Sequence, residues 1–304
     1  MKWLDPALVG ALEAEGTNAF RICSGRDAWM ECFGSTVVIS ARDRVQGEAL
    51  VGALDAWITP AGLATERIYL RQLVRQPRET DQLHLFRGDP ERPTSEIVKE
   101  DGLLYEVDFA IGYSTGLFCD QRTNRRYLRL LSPKRVLNTF SYTCAFSVAA
   151  ATCGAETVSI DLSKSSLNRG RKNFELNGLD PVGHRFLVGD VLATLPRLAR
   201  DETGPFDVII LDPPTFGRSG SRKAFRAAHD FEDLVALALT CATPDACLLL
   251  STNCSTLRAE KLRSMAARVA RGKMNFHRQP PQPDFPPGHG SETLWMQRGK
   301  RSRR

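Results

Sequence analysis

The chain predicts an α/β fold: a doubly wound, mostly parallel sheet preceded by a small α+β domain. Three observations carry that expectation. From Lys134 onward, short apolar strands and amphipathic helices alternate with brief connections, the pattern of successive βαβ units. The stretch FDVIIL at 206–211 is apolar with little alternation, as a strand covered on both faces requires. Ahead of that alternation, residues 20–76 follow another order, three strands, a helix and a strand.

Taken in order, residues 1–18 read as a short amphipathic helix ending near Gly16. Strands follow at AFRICS (19–24), AWMECF (28–33) and STVVISAR (35–42), then a helix over Val45 to Ile58 and a strand at RIYLRQLVRQ (67–76). The polar, proline-bearing segment RGDPERPTS (87–95) has the composition of a linker. It sets the expected border, with an N-terminal α+β domain over 1–95 and the larger domain over 96–298. SEIVKE (95–100) and LLYEVDFA (103–110) flank Asp101-Gly102, a strong hairpin signal. Arg122, Arg125, Arg126 and Arg129 then recur three or four residues apart and share one face of a predicted helix, either a solvated basic stripe or a phosphate-contacting surface.

The parallel sheet is expected to use RVLNTF, ETVSIDL, HRFLVGD, FDVIILD and ACLLLSTN, with helices at SVAAATCG, KSSLNRGRKNFELNG, VLATLPRLARD and FEDLVALALTCAT between them. A helix from Thr256 to Arg271 and strands near 275–278 and 292–297 complete it, with an antiparallel edge. The tail GKRSRR (299–304) is expected to be basic and disordered.

Composition narrows the function classes. Hydrophobic residues at 42% and charged residues at 25% fit a globular chain, and no apolar run approaches the ~18 residues that a membrane span needs. The start, MKWLDPALVGALEAEG, lacks the apolar core of a signal peptide, so the expected setting is the cytoplasm. The eight cysteines form no CxxC pair, which argues against zinc or disulfides, and no metal is expected. A net charge of +6 favours an anionic partner.

The chemistry concentrates at strand ends, where open α/β sheets bind ligands. Asp161, Asp190 and Asp212 end three successive strands; each alone is explained by a turn or an N-cap, and the three together point to a cofactor site. Asp212 opens the DPPTF segment, in which Pro213 and Pro214 fix φ and present Thr215 and Phe216 rigidly. The first strand-to-helix turn, NTFSYTCAFS, contains no glycine to let a pyrophosphate approach, and no GxxxxGK loop is present. NAD, FAD and ATP are therefore disfavoured. S-adenosylmethionine, which has no phosphate, fits this set of acids and donors.

NTFSYTCAFS, SIDLS, RKNFELNGL, HRFLVGD, FDVIILDPPTF and GLFCDQRTNRR resemble the motifs of the bacterial class I S-adenosylmethionine-dependent 23S rRNA base methyltransferases, the guanine-N7 and cytosine-C5 enzymes. The resemblance covers roughly residues 97–298 and implies a seven-stranded, mostly parallel class I methyltransferase sheet. It implies large-subunit ribosomal RNA as partner and gives residues 1–95 an accessory or RNA-binding role, although no separate PUA-like domain is visible. By the resemblance, Phe140, Ser141, Tyr142 and Thr143 line the methionine part of the cofactor, Asp161 the ribose and Asp190 the adenine. Asp212 faces the transfer site, Phe216 stacks on the target base, and Gln121 and Arg122 close the cofactor pocket. Cys144 stands where the family more usually has glycine.

Two reactions fit this frame. Guanine N7 carries a nucleophilic lone pair and needs alignment above all. Cytosine C5 needs a thiolate to add at C6 first, and Cys254 in STNCST is the cysteine placed for it, unless it is a small inert loop residue. Cytosine-C5 enzymes of this group show Ser-Cys-Ser here, of which this chain keeps Cys-Ser; DPPTF, SIDLS and STN resemble the guanine-N7 branch more, and the comparison favours N7. A small-molecule or protein methyltransferase, or an RNA-binding module without activity, are the competing readings.

Overall fold

A computed structural model of the chain describes residues 1–73, 83–111, 114–200, 204–217, 225–254, 256–270 and 272–298. The chain forms two compact units, Met1–Arg122 with Pro281–His289, and Thr123–Pro280 with Gly290–Arg304.

The first unit is built on a six-stranded sheet in the order β1 (Lys2–Trp3), β2 (Ala19–Ser24), β3 (Ala28–Phe33), β4 (Thr36–Ala41), β5 (Arg67–Gln72), β6 (His84–Arg87). The opening residues are thus not all helical: Lys2 and Trp3 pair with Ser24 and Cys23, and α1 (Ala7–Ala14) follows. The parallel step from β4 to β5 is made by α2 (Arg44–Ala61), whose N-cap Asp43 accepts from the Gln46 amide at 2.8 Å. Strand alternation sends Phe20, Ile22, Met30, Ile39, Ile68 and Leu70 to one face, where Leu54 and Trp57 of α2 pack on them.

The other face of this sheet is equally dry and sets charged and hydroxyl groups among Phe33, Val38 and Tyr69. Arg21 pairs with Glu31 at 3.2 Å, Arg71 donates to Ser40 Oγ at 3.3 Å, and Arg67 donates to Thr36 Oγ1 at 3.1 Å. The hairpin β7 (Ser95–Glu100) and β8 (Leu103–Asp108) turns at Asp101-Gly102, both with positive φ, as that pair predicts. It is clamped to that face. The Glu96 carboxylate accepts from Ser35 N at 2.7 Å, Thr36 Oγ1 at 2.8 Å and Arg67 Nη2 at 3.2 Å. It fits because Gly34 has no side chain: a Cβ there would stand 2.2 Å from Glu96 Oε1. Phe109 stacks on Tyr69 with centroids 5.0 Å apart. The border expected at 95/96 is therefore not where the compact unit ends: RGDPERPTS straps the unit, with Arg67 donating to the Pro93 carbonyl, and residues 96–122 and 281–289 belong to it.

The second unit runs α3 (Arg122–Leu131), β9 (Arg135–Thr139), α4 (Ala145–Ala151), β10 (Glu156–Asp161), α5 (Lys164–Leu176), β11 (Arg185–Val188), α6 (Val191–Leu198), β12 (Phe206–Leu211), β13 (Phe216–Gly217), β14 (Phe225–Arg226), α7 (Ala227–Thr240), β15 (Ala242–Thr252), α8 (Ala259–Val269), β16 (Met274–His277) and β17 (Glu292–Arg298). Seven strands form one sheet, β11-β10-β9-β12-β15-β17-β16, parallel except for β17, which is antiparallel to both neighbours. This is the expected doubly wound sheet with its antiparallel edge. Strand β12 shows why its sequence does not alternate. Ile209 and Leu211 pack with residues of α6, α7 and α8, whereas Val208 and Ile210 join Leu128 of α3 and Phe146 and Ala150 of α4. Strand order reverses on the two sides of β9, which opens the crevice at the carboxyl ends of β9, β10 and β12. The basic tail, 299–304, lies outside the described residues. Among the described residues no helix is long and apolar enough to cross a membrane.

Candidate active site

The crevice is lined first by the turn from β9 to α4. Phe140, Tyr142 and Cys144 have φ of 52°, 47° and 61°, so three non-glycine residues alternate into the left-handed region at about 1–2 kcal/mol each. Surrounding hydrogen bonds hold them there. Ser141 N donates to the Ile160 carbonyl at 2.9 Å, Tyr142 N to Asp161 Oδ2 at 2.8 Å, and Asn173 Nδ2 of α5 to the Thr143 carbonyl at 3.0 Å. Thr139 Oγ1 donates to the Ile210 carbonyl at 2.7 Å and ties the end of β9 to that of β12.

Asp161 ends β10 and accepts a second bond, from Ser163 N at 2.8 Å. Burial pushes its carboxyl above the usual range, and the amides of Ser163, Tyr142 and Leu162 pull it back. A desolvated carboxylate at a strand end gains from further donors, which vicinal hydroxyls supply. Next to it, Leu162 is 49% exposed and Val188, the register partner of Asp161, is 55% exposed. Gly189 N donates to the Asp161 carbonyl at 2.9 Å, so the tips of β10 and β11 form one apolar step between Asp161 and Asp190. Asp190 caps α6, accepting from Ala193 N at 2.9 Å, and is half-buried. Asp212 is half-buried after the buried Leu211, Pro213 is buried and Pro214 exposed. Phe216 begins β13, which pairs with β14 as Phe216 with Arg226; its side chain lies outside the described residues.

Residues 35–296 match the model of the family described as S-adenosylmethionine-dependent methyltransferase. The chain belongs to that family. Its relatives include ribosomal RNA large subunit methyltransferase I of Aeromonas hydrophila, 40% identical over 278 residues, 86% of this chain and 67% of its own length. The same-named protein of Aeromonas salmonicida is 33% identical over 266 residues, 83% of this chain and 64% of its own. Ribosomal RNA large subunit methyltransferase K/L of Psychrobacter arcticus is 37% identical over 195 residues, 63% of this chain and 25% of its own. The chain thus spans about two thirds of the first two relatives and a quarter of the third. A solved methyltransferase-fold chain complexed with SAH superposes with a TM-score of 0.79 at 24% identity, over 98% of this chain and 82% of the other.

The methyltransferase's cofactor is S-adenosylmethionine, and the residues present fit it: the desolvated Asp161 carboxylate can accept from hydroxyls, and the step made by Leu162 and Val188 offers an apolar surface to a planar base. The turn 140–143, Asp161, Asp190 and Asp212 all belong to the second unit. Gln121 and Arg122 belong to the first, and both are buried. The expectation that Arg122 presents an open phosphate contact is corrected: its guanidinium donates to the Ala19 carbonyl at 3.2 Å and is ion-paired with the buried Asp284. The single cationic face is corrected with it. Arg125 is 3% exposed with its guanidinium 5.5 Å from the Phe146 ring, because the arginine stripe straddles the side of α3 that buries Asn124 and Leu128. Arg126 is exposed and Arg129 half-buried. Cys254 packs into the apolar core with Leu250, Leu257 and Leu262, its Sγ 3.2 Å from Thr256 Oγ1.

Two residues escaped the sequence reading. Leu162 was passed over as the last apolar position of ETVSIDL, although a large apolar residue directly after a strand-end acid is the available signal. Asn173 is fully buried in α5, and nothing local in RKNFELNG marks its reach to the turn.

Proposed function

We propose that this methyltransferase modifies a base of large-subunit ribosomal RNA, at guanine N7, in the cytoplasm. The observation that carries the site is the desolvated Asp161 carboxylate beside the exposed Leu162 and Val188 at the mouth of the sheet. In this reading Asp161 accepts from the ribose hydroxyls, Leu162 lies against the adenine ring, Asp190 takes the exocyclic amine, and residues 140–143 line the methionine end. S-adenosylmethionine supplies an electrophilic methyl group when bound. Asp212, Pro213 and Pro214 shape the place where the target base enters, and Phe216 stacks on it. Guanine N7 attacks with its own lone pair, so the chain has to orient the base and exclude water without accepting a proton first.

The substrate class is supported by the names of the relatives, and the N7 atom by the surroundings of Cys254. A cytosine-C5 enzyme needs a thiolate free to add to a ring carbon; here the thiol is 7% exposed as a residue and lies among leucines. Arg126 and Arg129 are the phosphate contacts that this reading keeps from the arginine stripe, and the first unit has an accessory role on the RNA.

The test is incubation of large-subunit RNA from cells lacking the gene with the protein and S-adenosylmethionine, followed by nucleoside analysis. N7-methylguanosine is expected, and Cys254→Ala is expected to keep activity within about tenfold, ~1.4 kcal/mol in barrier. New 5-methylcytidine, together with a denaturation-resistant adduct on 5-fluorocytosine RNA, would overturn the N7 assignment. No methyl group in any RNA base would overturn the substrate class.

A further inference from the structure

The turn that lines the cofactor edge has no glycine, yet it adopts glycine's geometry at Cys144, where φ is 61°. A glycine stands instead on the facing helix. Gly170 lies in the interior of α5, a position at which glycine weakens a helix and calls for a packing reason. That reason is the thiol. A Cβ on Gly170 would stand 2.5 Å from Cys144 Sγ, 3.0 Å from Cys144 Cβ and 3.5 Å from the Thr143 carbonyl carbon, with backbone and a short side chain unable to yield. Cys144 is fully buried, its Sγ 3.8 Å from Ser141 Oγ and from the Tyr142 carbonyl, and burial pushes the thiol pKa up to about 12. It is therefore a neutral packing group. On the same face of α5, three residues further on, Asn173 donates to the Thr143 carbonyl at 3.0 Å. One helix face thus receives both the side chain and the carbonyl that end the turn.

We propose that Cys144 and Gly170 act as one positioning pair, in which the notch at Gly170 is what lets the Cys144 side chain and the 140–144 turn keep the left-handed geometry that binds the cofactor. The pair touches no reacting atom; it acts through the backbone of Phe140 to Thr143. The inference rests on the reading that this turn lines the cofactor. It predicts that Gly170 is not free to gain a side chain while Cys144 keeps its own. Alanine at 170, ordinarily stabilising inside a helix, drives the thiol and the turn aside here. Glycine at 144 takes the same φ without strain and leaves room for the alanine.

The experiment is a double-mutant cycle on the full chain with Cys144→Gly, Gly170→Ala and both, read as the S-adenosylmethionine Kd by calorimetry and as the thermal midpoint. Gly170→Ala is expected to weaken binding by about tenfold and to lower the midpoint, Cys144→Gly to stay within about threefold of wild type, and the double variant to return to within about threefold. Should Gly170→Ala not fold, a folded double variant that binds cofactor is the expected result, and a double variant that also fails to fold overturns the pairing. Midpoints that drop equally in both backgrounds overturn it too. Coupled midpoints with an unmoved Kd overturn the positioning role; if Asp161→Asn also leaves the Kd unmoved, the placement of the cofactor has failed rather than the pair.

Discussion

In the first unit β2 and β4 bury every residue, and in the second β12 buries all but the half-buried Asp207, yet the second faces of the two sheets are covered by different chemistry. Strand β12 is apolar on both sides, with Val208 and Ile210 as dry as Ile209 and Leu211. The first sheet carries arginines 21, 67 and 71 with Glu31, Thr36 and Ser40 on its second side, all buried. It is closed by Glu96, by Phe109, and by a segment from far along the chain: Asp284 accepts from Arg21 N at 3.1 Å and pairs with Arg122, and Phe285 lies 4.5 Å from the Arg21 guanidinium. An apolar face accepts many covers. A face of guanidinium groups accepts only those that bring carboxylates and rings, and that makes the first unit depend on residues that a contiguous domain boundary would leave out.

The comparison breaks most readily at Asp284. Asp284→Ala leaves the buried Arg122 without its carboxylate, and a buried charge stripped of its partner costs about 3–5 kcal/mol. Three of the four tryptophans, Trp3, Trp29 and Trp57, lie in the first unit, so intrinsic fluorescence in urea reports on it. The fluorescence transition is expected to move to lower urea; an unchanged midpoint would mean that the strap does not hold the unit. In β12 the corresponding lesion is Ile209→Ala, a cavity at a fully buried site, expected at about 2–5 kcal/mol. Its effect is expected in far-UV unfolding curves and to be the same at pH 5 and pH 8, since no titrating partner is lost. A pH-dependent loss there would contradict the description of that face as purely apolar.

The smallest effect sharpens the contrast within the second unit. His184 Nδ1 accepts from Thr157 N at 3.2 Å, its ring lies 4.6 Å from that of Phe174, and burial lowers its pKa. The folded protein therefore takes up this proton at lower pH than the unfolded chain, whose imidazole titrates near ~6.5. Stability present above that value is lost as pH falls through the folded one. In His184→Asn, which keeps an acceptor for Thr157, urea midpoints between pH 7 and pH 5 are expected to fall less steeply than in wild type. Parallel slopes would remove His184 as a contributor.

What the sequence made legible follows the same division. Where a strand is apolar on both faces, as at 206–211, or a turn is marked by Asp-Gly, as at 101–102, local chemistry decides the structure and the expectation stands. The helix expected over Val45 to Ile58 runs Arg44–Ala61, and the last strands expected near 275–278 and 292–297 fall at Met274–His277 and Glu292–Arg298. The border at 95/96 and the arginine stripe were misjudged for one reason. Charged residues were read as solvent-facing, whereas Arg122 and Arg125 are buried by an acid and a ring that lie 162 and 21 positions away in the chain. At the site, the three strand-end acids were visible, and the left-handed turn was not, because no glycine announces it at Phe140, Tyr142 or Cys144.

The location of the cofactor is tested most directly by calorimetric titration of S-adenosylmethionine into the wild-type protein and into Asp161→Asn. Asparagine keeps an acceptor for the Tyr142 or Ser163 amide and removes the charge that the ribose hydroxyls would meet. A charge-assisted bond contributes about 1.5–3 kcal/mol, so a variant with the wild-type far-UV spectrum is predicted to bind about tenfold more weakly or worse. Equal affinity in the folded variant would contradict the placement of the cofactor at the end of β10.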